Sequence, residues 1–180
     1  PKSIPVTLST RIRLARNLRE FPFPGKAEDG QRRAVLSKCM DAMTEMDSLK
    51  ESTSLEVDDL SELDRQILVE KHLISPELSQ VDEGSGIVLS SDRNCCVMIN
   101  EEDHLRIQVL QPGLEFEKVW KRADELDSKI ESMVNYAYDC ELGFLTACPT
   151  NLGTGLRASA MMHLPGLVTV SYTHLTLPTM

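Results

Sequence analysis

Apolar residues recur at two different periods along this chain, and the periods divide it into helical and extended segments. From Gln31 to Met46, the residues Val35, Leu36, Cys39, Met40, Met43 and Met46 fall at helical spacing and predict an amphipathic helix. A longer stripe of Phe116, Val119, Trp120, Ala123, Leu126, Ile130, Met133, Val134 and Ala137 predicts a long helix over Glu115 to Tyr138. Between these, Leu63, Ile67, Leu68 and His72 follow Asp59 and Ser61, either of which suits an N-cap, and Ser75-Pro76 ends the segment. Ile87 to Ser90, Cys95 to Asn100 and Leu105 to Leu110 read as strands; in the last, Leu105, Ile107 and Val109 alternate with Arg106 and Gln108. Ser91-Asp92-Arg93-Asn94 makes a hairpin turn between the first two, and Asp82 to Gly86 makes a turn before them. Gly143 to Ala147 reads as a further strand; Arg157 to Leu164 suits either strand or helix, with strand favoured. Lys50 to Asp59 reads as a polar surface loop and Pro149 to Gly155 as a glycine-bearing loop. Phe21-Pro22-Phe23-Pro24-Gly25 interrupts any regular element near the start. Helices mixed with sequence-adjacent strands give an α+β fold, a largely antiparallel sheet flanked by helices.

Composition narrows the function classes. The 180 residues carry 19 basic and 28 acidic side chains, a net charge of -9, which argues against a general nucleic-acid partner. No apolar run approaches the ~18 residues that a membrane helix needs, so no membrane partner is expected. The five cysteines form no C-x-x-C pair, which speaks against a zinc ribbon or a thioredoxin-type site and for free thiols in a reducing cytoplasm. No His/Asp spacing suggests a metal held by the protein alone. The chain opens on Pro1 rather than Met, so an upstream segment is expected to be missing. Residues 170 to 180, with Ser171-Tyr172-Thr173-His174-Leu175-Thr176, are similar to the in-frame translation of a sequencing-library adapter. They are expected to be a foreign tail, with the natural sequence continuing beyond Val168 or Thr169.

Three segments carry candidate chemistry. In Ser9-Thr10-Arg11-Ile12-Arg13, an extended backbone puts Arg11 and Arg13 on one face. Two guanidinium forks side by side suit a polyphosphate, although a solvated charged strand has the same pattern. Asn100-Glu101-Glu102-Asp103-His104-Leu105-Arg106 sets three acids at a strand end, either as an acidic turn or as a site for a cationic group, with Arg106 available to an anion. His104 suits a structural role. Cys148-Pro149-Thr150-Asn151-Leu152-Gly153-Thr154-Gly155-Leu156-Arg157-Ala158-Ser159 combines glycines and small polar residues, which let backbone N–H groups approach a phosphate, without the spacing of a P-loop. Cys148 at the loop edge is either inertly buried or activated by nearby cations.

In this order and combination, the three runs resemble the signatures of the ATP:guanido phosphotransferase family, which includes arginine and creatine kinases. Ser9 to Pro24, Glu70-Lys71-His72-Leu73-Ile74-Ser75-Pro76 and Arg157 to Pro165 are most similar to its bacterial protein-arginine kinase branch. The resemblance spans residues 5 to 168. It implies a catalytic domain of the guanido kinase/glutamine synthetase-like type, with residues 1–169 as its incomplete N-terminal part and 170–180 as a non-native tail. It implies phosphorylation of arginine residues in proteins by ATP, with Mg²⁺ held mainly by the nucleotide and water. A kinase for small guanidino compounds and a nucleotide-binding fragment without catalysis are the alternatives. It further implies nucleotide contacts from Ser9, Thr10, Arg11, Ile12, Arg13, His72, Arg106, Arg157, Ala158, Ser159, Ala160 and Met161. Glu102 would be the catalytic glutamate, and Cys148 would line the guanidinium pocket. The implied setting is a bacterial stress-response system in the cytoplasm, with a zinc-binding activator protein and a homodimer of the full-length enzyme. The family has a further arginine segment and a second acidic residue that are not found here, so the 180-residue chain is expected to be inactive by itself.

Overall fold

The computed structural model describes residues 6–44, 46, 52–81 and 83–168; the expected foreign tail at 170–180 lies outside them. The strands are β1 (Thr7–Arg16), β2 (Thr53–Glu56), β3 (Gly86–Leu89), β4 (Cys95–Ile99), β5 (Leu105–Pro112), β6 (Tyr138–Asp139), β7 (Gly143–Phe144) and β8 (Leu156–Met162). The helices are α1 (Asp29–Thr44), α2 (Glu62–Glu70), α3 (Pro76–Ser79), α4 (Phe116–Glu131) and α5 (Pro165–Val168). Six strands form one antiparallel sheet in the order β2-β3-β4-β5-β1-β8, and β6 and β7 pair separately. The fold is α+β, as the sequence predicts.

The two faces of the sheet differ. On one, Ile12, Leu14, Val88, Cys95, Val97, Ile99, Leu105, Ile107 and Val109 meet Val35, Leu36, Cys39 and Met43 of α1 and Val119, Ala123, Leu126 and Ile130 of α4. Fully burying such side chains contributes about 1.5–3 kcal/mol each, so this layer is the main core. On the other face, a smaller cluster of Val57, Leu73, Ile74 and Leu78 covers Ile87, Leu89, Cys96 and Met98. That cover lies over β3 and β4 only. The same face of β5, β1 and β8 is left to polar and cationic side chains, and this asymmetry creates a cleft.

Several predicted elements shift. Residues 53–56, predicted as loop, form edge strand β2, which pairs with β3 from Thr53↔Leu89 to Glu56↔Gly86. Its side chains are largely exposed, so backbone pairing rather than apolar alternation holds it. Helix α2 stops at Glu70, with Ser61 as its N-cap. His72 lies beyond it in a left-handed conformation, φ 57°. Pro76 opens α3 instead of closing α2, because a proline at the first helical position lacks only an N–H that would be unpaired anyway; Ser75 caps this turn. Helix α4 ends at Glu131, well short of Tyr138; Val134 and Ala137 are still buried, Val134 in the turn that follows the helix and Ala137 beyond it, where its N–H donates to the Asn17 carbonyl at 2.7 Å. Phe116 and Trp120 from the predicted stripe are 36% and 43% exposed, so the buried stripe is narrower than the sequence suggests. The strand predicted over Gly143 to Ala147 shrinks to β7. Arg157 to Leu164 is confirmed as extended through β8, which ends at Met162.

Candidate active site

A cleft of about 880 Å³ lies between the bare sheet surface and the cover formed by α2, α3 and the segment joining them. Period two on β1 sends Arg11 and Arg13 into it, opposite to Ile12 and Leu14, which belong to the core. Antiparallel register puts Arg157 of β8 directly beside Arg13, and Ser159 beside Arg11. The Arg11 Nε–H donates to Ser159 Oγ at 3.4 Å. Arg106 and Gln108 enter from β5, and Gln108 Nε2 donates to the His72 carbonyl at 2.7 Å, tying the cover to the sheet floor. The far end is apolar, lined by Val69, Ile74, Val81 and Met98.

Arg11, Arg13, Arg106 and Arg157 thus converge in one cleft; Glu101 and Glu102 pair with Arg106, and Glu70 and Glu77 also line the wall. The repulsion is visible in the acid–base properties. Partial burial, then Arg11, Arg106 and Arg157, lower Arg13 to about 10. Arg11 is lowered by burial and by Arg106 and Arg157. Arginine stays protonated in proteins, so the cluster does not relieve itself by losing a proton. It is relieved by an anion, and guanidinium forks suit phosphate oxygens.

The acidic run caps the opposite rim. Arg106 Nη1 donates to Glu101 Oε1, and Arg106 Nη2 donates to Glu102 Oε2 at 3.3 Å. Glu101 is buried, takes a further hydrogen bond from the Ser75 hydroxyl, and has its pKa raised by that burial against the opposing pull of Arg106. Its Oε2 has no hydrogen-bond partner among the described residues. Glu102 is exposed at the mouth of the cleft. Beside it a small pocket of about 60 Å³ is lined by Glu102, Arg13, Arg106, Arg157 and Cys148, so the two cavities share three arginines and Glu102.

Cys148 reaches this pocket because the segment before it is fastened to β1 and to the acidic run. Asn17 Nδ2 donates to Asp103 Oδ1 at 2.6 Å and to the Leu145 carbonyl at 3.0 Å, and its Oδ1 accepts the His104 N–H at 2.9 Å. Asp103 Oδ1 also accepts the Ala147 N–H at 2.7 Å. His104 is fully buried, accepting at Nδ1 from the Leu18 N–H and lying 2.9 Å from the Pro22 carbonyl at Nε2, so its role is structural, as the sequence suggests. Gly155 is required by close packing against β1. A Cβ at Gly155 would lie 2.5 Å from the Ala15 carbonyl oxygen, and the Gly155 carbonyl instead accepts the Ala15 N–H at 2.9 Å.

The structure therefore brings together Arg11, Arg13, His72, Arg106, Arg157, Glu102 and Cys148 around the two cavities. Ser159 joins them through Arg11. Ser9 and Met161 pair with each other on the same face of β1 and β8, toward its far end. Thr10 and Ile12 project to the other face. Thr10 is buried, donating to the Gly113 carbonyl at 2.6 Å, and Ile12 sits in the core. Ala158 and Ala160 pair with Ile12 and Thr10 and share that opposite face, so these four could reach a cleft ligand only through the backbone. The sequence places Glu101 in the acidic run but marks no individual role for it, for Gln108 or for Ser75. The alternation of Arg106 and Gln108 was a usable signal for Gln108; nothing local marks Ser75. Among the described residues no three of His, Cys, Asp and Glu converge so as to hold a metal ion.

Comparisons with known proteins identify the family. Residues 34–176 match the family model for the C-terminal catalytic domain of ATP:guanido phosphotransferases. The protein-arginine kinase of Halothermothrix orenii is 48% identical over 162 residues, covering 90% of this chain and 46% of that protein. The protein-arginine kinase of Caldanaerobacter subterraneus subsp. tengcongensis is 47% identical over 164 residues, covering 90% and 49%. The chain spans about half the length of the curated relatives it matches. Among solved structures, the duplicated taurocyamine kinase of Schistosoma mansoni with bound transition state analog components superimposes with a TM-score of 0.84 at 31% identity, covering 91% of this chain and 24% of that one. A lombricine kinase gives a TM-score of 0.79 at 26% identity, covering 90% and 49%. The chain belongs to the ATP:guanido phosphotransferase family, within its catalytic domain.

Proposed function

We propose that the full-length protein transfers the γ-phosphoryl group of ATP to the guanidino group of arginine residues in proteins. The observation that carries this reading is the junction of the two cavities. Arg13, Arg106 and Arg157 border both the large cleft and the small pocket, and Glu102 stands between them. A nucleotide fits the large cleft with its base at the apolar end and its phosphates among the arginines. The developing charge on a transferring phosphoryl group needs fixed cations, and the arginine forks supply them. A guanidinium in the small pocket would present its N–H groups to Glu102, which aligns one nitrogen and accepts the proton that leaves as the N–P bond forms. Cys148 lines that pocket and tunes it. Mg²⁺ would ride on the nucleotide oxygens and water, as bound Mg²⁺ commonly does. When bound, the ion neutralises phosphate charge.

The identities to protein-arginine kinases favour protein substrates. The likeness to taurocyamine and lombricine kinases supports the second reading, a small-molecule guanidino kinase. A zinc-binding activator, a homodimer, and a cytoplasmic stress-response setting belong to the first reading, on the strength of the branch resemblance. The test is to give the full-length protein ATP with either free arginine or an arginine-rich protein and to measure acid-labile phosphoarginine. Phosphoarginine on the protein alone supports the first reading; product from free arginine alone selects the second. Glu102→Gln should retain nucleotide binding while transfer falls ~10²-fold or more. Equal transfer by this variant would remove the proton-acceptor role.

A further inference from the structure

We propose that Asp103, held by Asn17, is the positioning residue that sets the distance between Glu102 and Cys148; this deepens the proposed function and rests on it for its catalytic consequence. Glu102 immediately precedes Asp103, and Cys148 immediately follows Ala147. A single hydrogen bond, from the Ala147 N–H to Asp103 Oδ1 at 2.7 Å, joins the two neighbours. The two pocket residues therefore sit one residue to either side of one bond. Asn17 makes this bond part of a rigid unit. It donates to the same Oδ1 at 2.6 Å, to the Leu145 carbonyl on the other segment at 3.0 Å, and accepts from the His104 N–H on the acidic run at 2.9 Å. Asn17 and Asp103 are both 1% exposed, so water does not compete for these groups. Neither residue lines either cavity, so neither touches a ligand there. The arrangement acts through its neighbours, and a small displacement of a catalytic group costs a large factor in rate.

Oδ1 alone takes both donated hydrogen bonds, while Oδ2 has no partner among the described residues. An asparagine at 103 can keep both with its single carbonyl oxygen, whereas a leucine of similar shape keeps neither. The test uses the full-length protein with Cys140→Ser, which removes the exposed thiol of the β6–β7 turn; Cys39, Cys95 and Cys96 are buried. Two quantities are read: the rate of Cys148 alkylation by iodoacetamide, and kcat and KM for ATP. Asp103→Leu is expected to raise the alkylation rate at least fivefold and to lower kcat at least 30-fold, with KM for ATP within threefold. Asp103→Asn is expected to restore both within threefold. A residue that only supports the fold would lower thermal stability without this kcat-against-KM split and without rescue. If Asp103→Leu does not fold, Asn17→Ala shifts both readouts in the same direction, because it removes the bonds to Asp103 Oδ1, the Leu145 carbonyl and the His104 N–H that hold the Ala147 bond in place. An alkylation rate within twofold of the parent, or an asparagine variant as impaired as the leucine variant, overturns the proposal. If the parent makes no phosphoarginine, the proposed function fails, and the alkylation comparison still decides the positioning role.

Discussion

Replacing Arg16 by methionine tests how the loop after Cys148 is fastened to the helical layer. Arg16 also lies on β1 but does not reach the cleft. Its guanidinium, 4% exposed, grips Asp127 of α4 through Nη2 at 2.7 Å and Nε at 3.1 Å. Nη1 donates to the Ala15 carbonyl at 2.8 Å and to the Thr154 carbonyl at 2.9 Å, and the guanidinium carbon lies 3.6 Å from the centre of the Phe144 ring. Methionine keeps the packing against Phe144 but removes the charge and every donor. Asp127 then retains the Tyr136 hydroxyl at 3.0 Å as its remaining side-chain partner. Breaking a buried ion pair by removing one partner costs ~3–5 kcal/mol, and the lost cation–π contact adds about 0.5–2 kcal/mol that overlaps with it. A loss of about 4 kcal/mol is expected, or a fall in Tm of roughly 10 °C at ~2–4 °C per kcal/mol for a domain of this size. Urea unfolding followed by the fluorescence of Trp120, the single tryptophan, which lies on α4 itself, reads it directly. Adding Asp127→Leu should recover most of the loss, because replacing both charges by apolar groups is often close to neutral. A single-variant loss under about 1 kcal/mol, or a double variant no better than the sum of the two, would refute this account of the contact.

Two further predictions follow from the electrostatics. Burial lowers the pKa of His104 below its ordinary 6.5, so its neutral form stabilises the fold above that pH and the contribution is lost as pH falls from 6.5 through the folded value. Stability should therefore drop on acidification by up to about 1.4 kcal/mol per pH unit more in the parent than in His104→Asn; parallel curves would remove the assignment. The crowded arginines should favour a polyanion over the empty cleft. Arg13→Gln is expected to leave the Tm without ligand unchanged or higher while weakening inorganic tripolyphosphate at least tenfold, about 1.5–3 kcal/mol for a charged hydrogen bond, measured by calorimetry at low salt. Unchanged tripolyphosphate affinity would place the phosphate site elsewhere.

The sequence by itself determined the elements whose side chains repeat against one layer. The Val35–Met43 stripe of α1 and the alternation of β5 are periodic because each meets a continuous apolar surface. It also marked the chemistry that lies close in sequence: Arg11 with Arg13, and Glu102 with Arg106. Edge strand β2 was not legible because backbone bonds hold it and its side chains face solvent. The end of α4 was equally hidden, since Val134 and Ala137 stay buried after the helix stops and preserve the apolar stripe. What only the tertiary structure decided is which candidates share a face. Strand register carries Arg157 to Arg13 and turns Thr10, Ile12, Ala158 and Ala160 away, and no local pattern encodes the pairing of strands some 140 residues apart. The same holds for Asn17 and Asp103: two unremarkable polar residues become a clamp only when β1, the acidic run and the segment before Cys148 are packed together without water. Periodicity reports the environment of one element, whereas a site is made where several elements meet.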